Sequence, residues 1–161
     1  MAVGDVTKFV KDFKAGSLKP HLKSESLPEV ETEDGLTTIV GSTWDRIVND
    51  PKKEVLVEYY VSWCAHCMAL AHTYAELATE VEEIGDLVIA KMNYVDNEVA
   101  GLHVRQYPTI KFYPKDNKQG VLYEADKTLQ DFKNWLNENS PAYRAANPNH
   151  KAENDAVNDE L

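Results

Sequence analysis

Two thiols lie three positions apart in Trp63-Cys64-Ala65-His66-Cys67, and they are the only cysteines among 161 residues. Such a pair can close and open a disulfide, and the species that attacks in disulfide exchange is the thiolate. An ordinary thiol has a pKa near ~8.5 and supplies little thiolate at neutral pH. Upstream, Val55-Leu56-Val57-Glu58-Tyr59-Tyr60-Val61 is a nearly continuous apolar run, the pattern of a strand buried on both faces. Downstream, Leu70, Tyr74, Leu77, Val81 and Ile84 recur at helical spacing. The pair thus falls at a strand-to-helix junction, where unpaired N–H groups and the helix macrodipole favour a negative sulfur. Cys64, at the helix start, is predicted to be the nucleophile. Cys67, one turn further in, is predicted to be more buried and to resolve the mixed disulfide. A protonated His66 between them stabilises thiolate over disulfide and makes the disulfide more oxidising.

Two other uses of these cysteines remain open to residue type alone. A purely structural bridge across three residues closes a tiny loop and stabilises little. A metal site built from Cys64, Cys67 and two of His66, His72 and His103 lacks the paired spacing of zinc ligands. The expectation is therefore redox chemistry with no metal and no organic cofactor.

The elements that must hold the pair follow from the rest of the pattern. Val6, Phe9, Val10 and Phe13 mark a short amphipathic helix that Gly16 stops, too short to be stable alone. Residues 17–34, with Pro20 and Pro28, read as an extended linker. Residues 37–40 read as a strand, and Ser42 with Asp45 as a capping box opening a helix to about Val48. The long helix after Cys64 is expected to stop at Gly85. Residues 87–93 form a second buried strand, residues 98–102 a short helix, and residues 109–113 and 121–124 a hairpin. Leu129, Phe132 and Leu136 mark a last helix. This order gives an α/β sandwich with a mixed sheet. Residues 141–161 are polar and acidic and read as a disordered tail.

The net charge of −10 argues against a nucleic-acid or anionic-membrane partner, and no apolar run is long enough for a membrane span. The start, Met1-Ala2-Val3-Gly4-Asp5, has no secretory signal pattern. That leaves a cytosolic protein or a piece of a longer chain, and the unsupported first helix favours the piece.

Across nearly its whole length the chain resembles the catalytic domains of protein disulfide isomerases, in particular the last of them, called a′. The residues that carry the resemblance are Val55-Leu56-Val57-Glu58-Tyr59-Tyr60, Trp63-Cys64-Ala65-His66-Cys67 and Tyr107-Pro108-Thr109-Ile110-Lys111-Phe112-Tyr113. The resemblance implies a thioredoxin fold, a three-layer α/β/α sandwich around a central mixed sheet, spanning residues 35–140. Residues 1–34 look like the end of the preceding b′ domain and its linker. Residues 141–161 look like that family's acidic tail, and Asn158-Asp159-Glu160-Leu161 like a variant endoplasmic-reticulum retention signal, placing the protein in the lumen.

Residue by residue, the resemblance implies a cis-proline at Pro108 facing the cysteines, with Tyr107 and Thr109 beside it contacting substrate. Glu58 matches the family's buried carboxylate, with a raised pKa and a role as proton acceptor for Cys67; the plain alternative is a partly exposed glutamate near a strand end. Lys127 stands where many members carry an arginine that swings toward the second cysteine; the plain alternative is a solvated lysine. Trp63 is expected on the rim of the site. Expected partners are unfolded or misfolded secretory proteins with thiols or disulfides, and glutathione or an upstream thiol oxidase. A chaperone-like binding module with secondary redox activity and a cytosolic thioredoxin-type reductase are the rival readings. The chain departs from the family pattern at Ala65, usually glycine; at Met68, usually lysine; at Val61-Ser62, usually Ala-Pro; and at Ala71-His72, usually Ala-Pro, where loss of the proline leaves a straighter helix.

Overall fold

The apolar run before the cysteines becomes the middle of the sheet. Strand β3 (Glu54–Tyr60) lies between β4 (Leu87–Asn93), parallel to it, and β5 (Thr109–Tyr113), antiparallel to it. The computed structural model describes residues 3–18 and 21–150. Strand β2 (Leu36–Thr38) runs parallel to β4, while β1 (Thr32–Glu33) and β6 (Val121–Leu122) add antiparallel edges. The order is β1-β2-β4-β3-β5-β6, a mixed sheet.

Strand alternation divides β3 between two cores. Leu56 faces a cluster with α3 (Ala65–Val81), α4 (Leu129–Asn139) and α5 (Pro141–Ala146), through Tyr74, Leu77, Phe132, Leu136 and Tyr143. Val55, Val57 and Tyr59 face Trp44, Ile47 and Val48 of α2 (Trp44–Val48), together with Leu102 and Val104. These are the three layers of an α/β/α sandwich. The fully buried Tyr74 hydroxyl donates to the carbonyls of Leu56 (3.0 Å) and Ala90 (3.1 Å), pinning α3 across two adjacent strands. At the far end of α3, Gly35 adopts a φ of +79°, and a Cβ there would lie 2.3 Å from the Ala78 carbonyl oxygen. Only glycine suits both the left-handed backbone and the close approach.

Several local expectations give way. Ser42 and Asp45 form no capping box. Residues Gly41–Thr43 make a 3₁₀ turn in which the Thr43 hydroxyl bridges the Val40 N–H and carbonyl, and the Ser42 N–H donates to Ser24 Oγ (3.0 Å). Helix α3 ends at Val81, four residues before Gly85, in tighter turns such as Ile84 N–H to Val81 O. Residues 98–102 form only a turn, since Gly101 at φ +77° cannot continue a helix. Strand β6 stops at Leu122 because Tyr123 turns inward against Phe132 and Trp135.

The ends of the chain differ most. Helix α1 (Val3–Lys14) presents Val6, Phe9, Val10 and Phe13 to solvent, and Gly16, at φ +65°, follows it. The segment after it is extended but not free. Lys23 and Glu98 exchange backbone and carboxylate hydrogen bonds, and the buried Asn97 amide accepts from the N–H groups of Glu25 and Gly41 and donates to the Glu25 carboxylate. At the other end, the disordered tail expected from residue 141 is corrected through residue 150. Ser140 caps α5, Tyr143 is buried in the core, and the buried Glu54 carboxylate accepts from the Ser140 hydroxyl and the Ala142 N–H. Polar composition hid this helix, whose single large anchor is Tyr143. Residues 151–161, including the retention-like ending, lie outside the described residues.

Tyr143→Ala should lower stability by about 3 kcal/mol, the usual scale for truncating a buried aromatic. Urea unfolding checks this; a midpoint like that of the parent would mean that α5 does not belong to the core.

Candidate active site

Helix α3 begins where β3 and the turn after it deliver Cys64. Cys64 is the N-cap, with extended backbone (φ −83°, ψ 111°), and its carbonyl accepts the first helical bond from the Met68 N–H (3.1 Å). Its sulfur takes the place of a capping oxygen and accepts from the Cys67 N–H at 3.1 Å. The two cysteines form a disulfide with Cα atoms 5.2 Å apart. Cys64 is half-buried, whereas Cys67 is 4% exposed, one turn inside the helix. The two sulfurs thus differ in access although three residues apart. Trp63 stands out at the rim, 68% exposed, and Met68 at 63% is nearly as open.

Behind Cys67 lies a small cavity of about 170 Å³ lined by Glu58, Tyr60, Val61, Cys67, Met68 and Lys91. Glu58 is 4% exposed, on the face of β3 that packs under α3. Burial raises its carboxyl from the ordinary 4.5 to about 7, and the nearby Lys91 ammonium pulls the other way. Lys91 sits directly opposite Glu58 in the β3–β4 register. Sequence reasoning missed Lys91. A usable signal existed, for a single charge interrupts the apolar middle of each strand, and the parallel register makes the two charges partners.

On the opposite side of the helix start is an open groove of about 480 Å³, lined by His66, Ala69, Leu70, Gln106, Tyr107, Pro108 and Lys127. Its floor is the entry to β5. The Tyr107–Pro108 peptide is cis, and Thr109 opens the strand opposite Tyr59, its hydroxyl donating to the Gln106 carbonyl (2.7 Å). His66 is exposed and points its surface into this groove rather than into the Glu58 cavity. Lys127, also exposed, lies on the same groove, so the structure brings it to His66 and Pro108 and not to the cavity of Cys67. His72 and His103 are exposed, and among the described residues no three His, Cys, Asp or Glu side chains converge as a metal site. Among the described residues no helix is long and apolar enough to cross a membrane.

A cysteine-capped helix on a mixed sheet has known counterparts, and the thioredoxin family matches residues 35–138. The chain belongs to the thioredoxin family. It is 37% identical over 134 residues to a protein disulfide-isomerase of Drosophila melanogaster, covering 83% of this chain and 27% of that protein. It is 40% identical over 136 residues to that of Saccharomyces cerevisiae, covering 83% and 26%. The chain thus spans about a quarter of the length of the curated relatives it matches. Among solved structures, the first thioredoxin domain of mouse protein disulfide-isomerase A4 matches at a TM-score of 0.58 and 28% identity, covering 71% of this chain and 84% of that one. Zinc-bound human ERp44, at a TM-score of 0.56 and 17% identity, shares the fold.

The Glu58 carboxyl links stability to pH. Its pKa is higher folded than unfolded, so the folded state holds the proton more tightly, and the associated stability is present below about 4.5 and lost as pH rises through about 7. The parent should lose about 3 kcal/mol across that window relative to Glu58→Gln, which cannot titrate. Urea unfolding of both proteins at pH 4.5 and 8 measures the difference; equal pH slopes would place Glu58 in water.

Proposed function

We propose that this chain is the catalytic unit of a thiol–disulfide oxidoreductase of the protein disulfide-isomerase type. It acts on thiols and disulfides of folding proteins. One observation carries this reading: the Cys64 sulfur caps α3 and accepts the Cys67 N–H, while Cys67 itself is buried. A cap position that already accepts a hydrogen bond stabilises the thiolate which reduction creates there.

In oxidation, a substrate thiolate attacks Cys64 Sγ and breaks the Cys64–Cys67 bond, and the Cys67 sulfur leaves with the electron pair. A second substrate thiolate then attacks the substrate sulfur of the mixed disulfide and releases Cys64 as thiolate. Two electrons pass from the substrate dithiol to the cysteine pair, and no other cofactor is required. In isomerisation, reduced Cys64 attacks a wrong substrate disulfide, and Cys67 frees the enzyme if rearrangement stalls. For that escape the Cys67 thiol must lose its proton. Glu58 shares its cavity and titrates at about 7, so near neutral pH it can take that proton and return it. The Lys91 ammonium works against burial and helps to keep the carboxylate form of Glu58, the form that accepts a proton, accessible. Trp63 offers apolar surface to an unfolded chain, and Tyr107, Pro108 and Thr109 border the groove along which that chain lies.

The proposal extends to the setting. Similarity to protein disulfide-isomerases supports residence in the endoplasmic reticulum lumen, secretory proteins as substrates, and glutathione or a thiol oxidase as the recharging partner. The exposed apolar face of α1 supports reading residues 1–34 as belonging with a neighbouring domain.

Cys64→Ser should reduce refolding of a scrambled-disulfide protein to the uncatalysed rate, while Cys67→Ser should accumulate a mixed disulfide at Cys64. Parent-like refolding by Cys64→Ser would favour the binding-module reading instead. The reduction potential of the pair, measured against glutathione, should lie near ~−180 mV; a value near ~−270 mV would mark a thioredoxin-type reductase.

A further inference from the structure

The groove beside the disulfide runs against the acidic balance of the chain. The chain carries 27 acidic against 17 basic residues, yet no Asp or Glu lines this groove. Its lining is apolar or neutral except for His66 at one side and Lys127 at the other. Lys127 forms no ion pair among the described residues, unlike Lys23, Lys115 and Lys133. It also lines the adjoining cleft of about 290 Å³, which runs along Pro108, Thr109, Ile110 and Leu122 and holds Glu124 as its only carboxylate. Lys127 therefore stands where the two depressions meet over Pro108. A chain laid along both depressions across Pro108 passes this ammonium.

We propose that the groove between His66 and Lys127 is a subsite for an acidic side chain of the substrate, close in sequence to the exchanging cysteine, and that Lys127 sets this preference. The inference rests on the oxidoreductase reading and adds the class of peptide that reacts best. Its physical basis is an exposed ammonium, without an ion pair among the described residues, at the edge of a groove whose own lining holds no carboxylate, Glu124 lying in the adjoining cleft. A basic residue of the substrate in the same place would meet like charge. The preference is for charge rather than shape, since a single-point cation on a flexible stem imposes little geometry.

The test uses the full chain with its disulfide formed and two dithiol peptides that differ only in one residue beside the first cysteine, Asp in one and Lys in the other. Each peptide is oxidised to its own disulfide while the chain is reduced to the dithiol. Second-order rates are divided by those of the same peptide with a small uncharged disulfide, which removes the peptide's intrinsic thiol reactivity. The parent should favour the Asp peptide by about threefold at low salt, the scale of one exposed ion pair. The preference should shrink at high salt. Lys127→Gln should bring the ratio to about one, and Lys127→Glu should invert it. A parent ratio of one, or a preference unchanged in Lys127→Glu, overturns the subsite. If neither peptide reacts with the parent faster than with the small disulfide, the oxidoreductase reading itself fails and the subsite with it.

Discussion

The hydrogen bond from the Cys67 amide to the Cys64 sulfur ties the chemistry to the fold. A helix start leaves its first N–H groups without backbone partners, and something must accept from them. Here the acceptor is the sulfur proposed to react. The bond exists only because β3 ends where α3 begins, and β3 is fixed because it is buried between two cores. Tyr74 then clamps the same helix to β3 and β4 from within. The Cys64 sulfur inherits its position from a buried strand and a helix clamped to it.

The helix start separates two environments by the width of one turn. On one side, a small cavity holds Glu58, Lys91 and the buried Cys67. On the other, a wide groove holds His66, Pro108 and Lys127 and opens to solvent. The proposed proton transfer and the proposed binding of a polypeptide need opposite conditions. The first depends on poor solvation, which is what moves the Glu58 carboxyl toward neutrality. The second depends on access. A helix start set between the two allows a small domain to meet both needs.

The sequence made the centre of the molecule legible and left its margins obscure. Strand bounds at residues 87–93 and 109–113 were readable because their apolar pattern is dictated by burial, which dominates local preference. The cysteine junction was readable because the apolar period changes across it from strand to helix. Glu58 was legible as a lone carboxylate in an apolar run, but Lys91 was not, since its partnership is a matter of register between strands 33 residues apart in sequence. The groove position of Lys127 was equally hidden, because it depends on how the loop before α4 folds over β5. Polar stretches misled in both directions. The 98–102 helix yields to Gly101, while residues 141–146 are helical on the strength of Tyr143 and a cap shared with the distant Glu54. Residues 23–25 look like bare linker, yet a buried asparagine 72 positions from Glu25 holds them.

Gly35 has a role out of proportion to its distance from the disulfide. Any side chain there would collide with the carbonyl of Ala78 near the tail of α3. A helix is stiff along its axis, and the rise from Cys64 to Ala78 is about 21 Å. Bulk introduced at position 35 would act as a wedge under one end of a beam whose other end bears the sulfurs. The geometry of the redox centre is therefore exposed to damage at the opposite pole of the domain, in a tight turn that contains no reactive group.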